Sequence, residues 1–114
     1  MIKKFEDIVA WQKAQRLALE IYSVFKNSKD FGFKDQICRA SVSISSNIAE
    51  GFNRSSDADF SRFLYISLAS CSEVRSMAYL AKNLEYTSAE QTKSLLLKTN
   101  EISKIISGLI KSLK

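Results

Sequence analysis

Gln36, Arg39, Ser43, Asn47 and Glu50 recur at spacings of three and four residues within QICRASVSISSNIAEG, the stretch Gln36–Gly51. On a helix that spacing places them in one stripe, beside the apolar positions Ile37, Ala40, Ile44 and Ile48. Two kinds of chemistry suit two amides, a guanidinium, a hydroxyl and a carboxylate in a row. One is a ligand-binding or catalytic constellation; the other is a set of hydrogen bonds and ion pairs that fixes the register of one helix on another. The residue types favour the second. The chain has no histidine, so Ser43 lacks the usual base, and no lysine stands at a spacing that would obviously replace it. Arg39 is expected to pair with Glu73 of a later helix or with Glu50 of a neighbouring copy, while Asn47 and Ser43 bond across helices.

Other reactive groupings are sparse. Asp30-Phe31-Gly32 matches the metal-binding tripeptide of kinases, but the chain has no glycine-rich phosphate loop, no HRD motif and too little length for a kinase. Glu50, Asp57 and Asp59 are scattered and have no histidine partner, whereas helical-bundle metal sites use Glu-x-x-His. Losing histidine removes the commonest general base and the commonest metal ligand together. No catalytic residue, cofactor site or metal site is therefore expected, and the protein reads as a non-enzyme. Cys38 and Cys71 fit two small core residues on facing helices better than a disulfide framework.

The basic residues are more suggestive. Lys93, Lys104 and Lys111 fall at nearly one angular position of a helix, with Lys114 close by and Glu101 offsetting their charge. Lys3, Lys4, Lys13 and Arg16 extend the basic surface from the N-terminal helix. Lysines so placed either keep a solvated face soluble or contact phosphates, a contact that ignores sequence and weakens with salt. Net charge is +5, from 17 basic against 12 acidic residues, which permits an RNA or other nucleic-acid partner without requiring one. Trp11 and Tyr22 sit among aliphatic neighbours and are expected in the core; Tyr86, in a turn, stays open as a stacking surface.

The elements that position these groups are helices. With no proline and only three glycines in 114 residues, the chain has few places to break a helix. The period predicts a first helix over about Phe5–Lys26, with Ile8, Trp11, Gln15, Ala18, Tyr22 and Phe25 inward, widened by Ala14 and Ile21. A second runs over about Phe33–Glu50, with Gly51 as a residue tolerant of positive φ at its end. Its centre, SVSISS, alternates like a strand, but the helical period continues on both sides. Its serines leave room for a neighbouring helix to come close. Ser56, three residues before Asp59, caps a third helix that ends near Leu84. Phe60, Phe63, Leu64, Ser67, Cys71, Val74 and Ala78 form its stripe, and Leu68, Met77, Tyr79 and Leu80 widen it past one face, which predicts burial on two sides and hence a homo-oligomer. Thr87-Ser-Ala-Glu90 has capping-box spacing and opens a fourth helix, with Leu95, Ile102, Ile105, Ile106, Leu109 and Leu113 inward. Short connections make this one all-α domain, residues 1–114, an antiparallel up-down-up-down bundle. No run is long and apolar enough for a membrane span, and the N-terminus has acids where a signal peptide would be apolar, so a cytoplasmic location is expected.

Several segments together resemble a known family. They are Phe5 with Val9-Ala10-Trp11-Gln12-Lys13-Ala14, Ile21-Tyr22, Asp35-Gln36-Ile37-Cys38-Arg39-Ala40, Ser43-Ile44-Ser45-Ser46-Asn47-Ile48-Ala49-Glu50-Gly51, and Phe60-Ser61-Arg62-Phe63-Leu64. They resemble the small four-helix proteins encoded in intervening sequences of bacterial 23S rRNA genes. The chain departs from that pattern at Ser45, where the family usually has proline, and at Ala69-Ser70, where it usually has Gly-Ser; the first departure suggests a straighter second helix. The resemblance implies a left-handed four-helix bundle assembled as a homopentamer, with no established enzymatic activity. It places Arg39, Asn47, Glu50 and Glu73 at or near subunit contacts. The related accessory protein of diversity-generating retroelements is a similar basic pentameric barrel that binds nucleic acid and a reverse transcriptase, which makes both kinds of partner an expectation here.

Overall fold

Two segments of the N-terminus behave differently from a single continuous helix. The computed structural model describes residues 1–114, and in it Phe5–Asp7 forms one 3-10 turn before α1, Val9–Val24. Ile8 between them is extended, at φ −76° and ψ 120°, and buried. That break lets Phe5 fold back edge-on against Trp11, at 5.3 Å between ring centres, while Gln12 Nε2 donates to the Glu6 carbonyl at 2.9 Å. The helix expected from Phe5 therefore starts at Val9, because burying Ile8 and seating Phe5 outweigh one more helical turn.

Helices α2 (Phe31–Phe52), α3 (Asp57–Asn83) and α4 (Ala89–Ser112) complete the molecule. Each opens on a side-chain cap. Asp30 Oδ1 accepts from the Phe33 amide at 3.1 Å, so α2 begins two residues before the period predicts. Ser56 Oγ accepts from the Asp59 amide at 3.1 Å, as expected. The capping box of α4 is Ser88 with Gln91, one residue beyond the expected Thr87 and Glu90. Two overlapping boxes compete in TSAEQ; Thr87 Oγ1 is taken by Thr92 Oγ1 at 2.8 Å, which leaves Ser88 to cap.

α1 packs on α2 and α4, and α3 on α2 and α4, with α1 and α3 on the diagonal. The extents, 43 × 21 × 19 Å, are those of helices lying side by side along one axis. One core of buried side chains runs the length of this four-helix bundle: Leu17 and Ile21 of α1, Ile37, Ile44 and Ile48 of α2, Leu64, Cys71 and Val74 of α3, Leu95, Ile102 and Ile106 of α4. The predicted inward stripe of α2 is buried throughout, and that of α3 is buried except at the half-buried Phe60. In α4, Leu95, Ile102 and Ile106 are buried as expected, Ile105, Leu109 and Leu113 are only half-buried, and Ile110 is buried as well. α1 departs further. Its buried positions are Ala10, Ala14, Leu17 and Ile21, while Gln15 and Tyr22 are exposed and Trp11 and Ala18 only half-buried. Small alanines, rather than aromatic rings, face inward and let α1 lie close to its neighbours.

The serines of α2 behave as the close approach requires. Ser41 and Ser45 are buried and bond back to the carbonyls of Cys38 and Val42, at 2.8 and 3.3 Å. From α3, the buried Ser67 hydroxyl donates to the Ile44 carbonyl at 2.7 Å. No buried side-chain nitrogen or oxygen lacks a partner, so the polar core positions carry no desolvation penalty left unmet. Cys38 and Cys71 are free and buried on α2 and α3; desolvation raises both thiols, Cys71 to about 11.

Gly51 is not a C-cap. It lies inside α2 with an ordinary φ. The residue in the left-handed region is Glu85, at φ 63°, in the turn after α3. There the Tyr86 amide donates to the Ala81 carbonyl at 2.8 Å and the Glu85 amide to the Lys82 carbonyl at 3.0 Å, the two bonds of a Schellman ending. Because a Cβ costs energy at that φ, Glu85→Gly is expected to stabilise the fold by about 0.5–1 kcal/mol, read as a rise in the urea midpoint at unchanged slope. A decrease would mean that the Glu85 side chain contributes more than its backbone strain costs.

Candidate nucleic-acid interface

The polar stripe of α2 divides into short local bonds and two links to α3. Gln36 Nε2 donates to Glu73 Oε2 at 3.2 Å, and the Ser43 and Ser70 hydroxyls meet at 2.9 Å. The other members stay on their own helix. Arg39 turns to Asp35 one turn earlier, at 2.9 Å, so its expected pairing with Glu73 is not made; Glu73 is taken by Gln36. Asn47 donates to the Ser43 carbonyl and hydroxyl at 2.8 and 2.9 Å rather than across helices. Glu50 pairs with Arg54 at 2.9 Å. Arg39 and Glu50 are both exposed, where an i,i+4 pair stabilises by only a few tenths of a kcal/mol. The arrangement joins α2 to α3 at two points and offers no nucleophile–base pair. No group of three His, Cys, Asp or Glu side chains is close enough to hold a metal ion.

The basic residues separate into neutralised and free ones. Between α1 and α4, Lys13 pairs with Glu101 at 3.3 Å, and Glu20 receives both Lys98 Nζ and the Ser94 hydroxyl, the latter at 2.8 Å. Arg16 borders a cleft with Lys13, Lys98 and Glu101 but makes no ion pair. Lys93, Lys104 and Lys111 are exposed along the outside of α4 and Lys114 follows its end; none has a carboxylate within ion-pair distance. Glu101 is not the sole acid of α4, since Glu90 sits in its first turn. Lys98, Arg75 and Lys82 belong to the basic surface too and escape the sequence pattern. Lys98 lies off the lysine stripe of α4, while Arg75 and Lys82 are on α3 and reach Lys93 only once the turn between α3 and α4 folds them together.

Among the aromatic candidates, Tyr86 is committed. Its hydroxyl donates to Asp30 Oδ2 at 2.6 Å and its ring stands edge-on to Phe33, tying the turn before α4 to the start of α2. The hydrogen bonds from Tyr86 and the Phe33 amide hold Asp30 below its ordinary 3.8, and Asp30 in turn raises Tyr86 above 10.0. A carboxylate with a lowered folded pKa contributes stability that is complete above its ordinary value and lost as pH falls through the lowered one. A phenol with a raised folded pKa contributes stability that is complete below its ordinary value and lost as pH rises through the raised one. Tyr86→Phe is therefore expected to lower Tm most between about pH 5 and 9, with the gap to the parent closing below pH 3.8 and above pH 10. Thermal scans across that range check it; a gap independent of pH would show that the bond is not what ties the ends together.

This is an all-helical bundle with an uncompensated basic ridge and no strand. The chain belongs to the 23S rRNA-intervening sequence protein family, whose sequence pattern matches residues 6–108. Among solved structures it is similar to a protein of unknown function from the S23 ribosomal protein family of Bacteroides thetaiotaomicron. The two share 32% identity over 90% of this chain and 99% of the other, with a TM-score of 0.85. No curated protein matches the chain in sequence. No helix is long and apolar enough to cross a membrane.

Proposed function

We propose that this protein is a non-enzymatic, self-associating helical bundle that binds RNA or another nucleic acid through its basic surface. The observation that carries the reading is the row Lys93, Lys104 and Lys111, three exposed ammonium groups on one side of α4 with no carboxylate partner. Five cations lie in ion pairs, Lys13, Lys98, Arg39, Arg54 and Arg62, and none of them belongs to this row. Phosphates bound by lysine release counterions, so affinity falls with salt and varies little with sequence. The test is retention of labelled RNA on filters from about 20 to 200 mM salt. Steep loss of retention is expected, and no retention at the lowest salt removes the nucleic-acid reading. In that event the runner-up, a scaffold docking a partner enzyme such as a reverse transcriptase, takes its place.

The bundle is read as antiparallel, up-down-up-down and left-handed. Supporting it, residues of α2 in ascending order, Gln36 and Ser43, bond to residues of α3 in descending order, Glu73 and Ser70. Lys13 and Glu20 meet Glu101 and Lys98 in the same crossed sense. A shallow left-handed crossing is the usual packing for such bundles.

Self-association rests on two separate apolar surfaces. Leu19, Tyr22 and Val42 line an open groove of about 290 Å³ between α1 and α2, with Leu19 71% exposed. Leu80 and Leu84 are exposed one turn apart at the end of α3, and Ile66 is exposed on the same side about 21 Å away. Exposed leucines grouped in this way mark contact surfaces more often than isolated ones do. Light scattering at micromolar concentration is expected to report an oligomer, with a pentamer the expected count and a cytoplasmic setting its context. A stable monomer would overturn self-association while leaving RNA retention to be judged by itself.

A further inference from the structure

We infer that the groove between α3 and α4 seats a single strand of nucleic acid, with Arg75, Lys82 and Lys93 on its phosphates and Tyr79 against a base. The inference deepens the nucleic-acid reading above and rests on it. The groove has a volume of about 370 Å³, within the range of pockets that hold a small ligand, and no carboxylate lines it. Three cations converge there from two helices. Arg75 and Lys82 lie seven residues apart, two turns of α3, and Lys93 faces them from the second turn of α4. None of the three is in an ion pair. A concavity lined by three cations and no carboxylate has a positive potential that attracts an anion.

The remaining lining says what kind of anion. Leu96 and the exposed Leu97 give the groove an apolar part, Asn100 adds an amide, and Ala89, the first residue of α4, forms one end, where the helix dipole favours a phosphate. Tyr79 stands on the same edge of α3, four residues after Arg75 and three before Lys82, and is half exposed. A charged groove that tracks a backbone, flanked by an aromatic ring open to solvent, is the arrangement that binds unpaired bases. A duplex keeps its bases stacked inside and gives Tyr79 nothing to meet. The ring also differs from Tyr86, whose hydroxyl and edge are already occupied.

The test is fluorescence anisotropy of a fluorescein-labelled U12 RNA with the full chain, in three variants checked for unchanged helicity. Arg75→Gln/Lys82→Gln is expected to weaken binding tenfold or more and to flatten the log–log salt slope by about 1.4, the loss of two phosphate contacts on a single strand. Tyr79→Leu is expected to weaken it about fivefold or more with the slope unchanged, because stacking carries no counterions. Lys104→Gln/Lys111→Gln removes the same charge outside the groove and is expected to cost less than the groove pair; Lys82→Glu alone, an exposed position, should move affinity in the direction of the groove pair. Equal losses in the two double variants would overturn the groove while leaving a general basic surface intact. An unaffected Tyr79→Leu, or a 12-base-pair duplex bound as tightly as U12, would overturn the single-strand assignment. Displacement of U12 by poly-glutamate more efficiently than by unlabelled U12 would reassign the groove to an acidic protein segment. No binding of U12 by the parent at low salt would remove the nucleic-acid reading and this inference with it.

Discussion

Gly51→Ala is expected to destabilise the protein by about 1–3 kcal/mol, although alanine is the better helix former. A Cβ built at Gly51 would lie 2.6 Å from the Phe63 Cβ and 3.1 Å from the Phe60 ring. The first contact is with an atom fixed to the α3 backbone, so relief requires α2 and α3 to separate rather than a side chain to rotate. Phe63 has little freedom to yield. It is buried, and the guanidinium groups of Arg54 and Arg62 lie over its ring at 4.8 and 4.6 Å from its centre. Gly108 supplies the control: it is exposed in α4, and nothing within 4 Å would meet its Cβ. Gly108→Ala is thus expected to be neutral or to stabilise by up to about 1 kcal/mol. Urea denaturation of both variants checks the pair. A Gly51→Ala midpoint at or above the parent's would mean the two helices can part at that end without loss.

Lys93→Glu/Lys104→Glu/Lys111→Glu is expected to abolish RNA retention at every salt concentration. Each reversal replaces an attraction by a repulsion, and three of them turn a net charge of +5 negative. The fold should tolerate the change, since all three residues are exposed and none is in an ion pair. Only Lys111 carries a further role, as a cation in the last turn of α4 where the helix dipole favours positive charge; its reversal is expected to cost roughly 0.3–1 kcal/mol. Filter binding and a thermal scan on the same sample separate the two effects. Retention equal to the parent's, with the fold intact, would mean that this ridge contacts no phosphate.

How far these features can be read before folding depends on how local their causes are. The inward stripes of α2 and α3 are legible because each is strongly periodic, and the Ser56 cap because its partner lies three residues away. In α4 the period identifies Leu95, Ile102 and Ile106 but gives Ile105, Leu109 and Leu113 where Ile110 is buried. The face of α1 is legible only in part: Ile8, Ala14, Ile21 and Phe25 are inward as read, while Trp11, Gln15, Ala18 and Tyr22 give way to Ala10 and Leu17 at neighbouring angles. The choice falls to how closely α2 and α4 approach, which no single helix encodes. Gly51 reads equally well as a helix end or as a gap for a neighbouring side chain, and only the position of Phe63 distinguishes them. The basic ridge of α4 follows from periodicity, whereas the trio Arg75, Lys82 and Lys93 spans two helices and depends on the turn built around Glu85.

Leu19, Tyr22 and Val42 on one side and Leu80 with Leu84 on another are unlike surfaces. If the first patch of one copy meets the second patch of the next, every added copy leaves one socket open until the last finds the first. The count is then governed by the wedge angle between the two patches, and a mismatch of a few degrees per step produces an open fibre instead of a closed ring. Substitutions that tilt α1 against α3 should therefore change how many copies assemble before they change whether one copy folds.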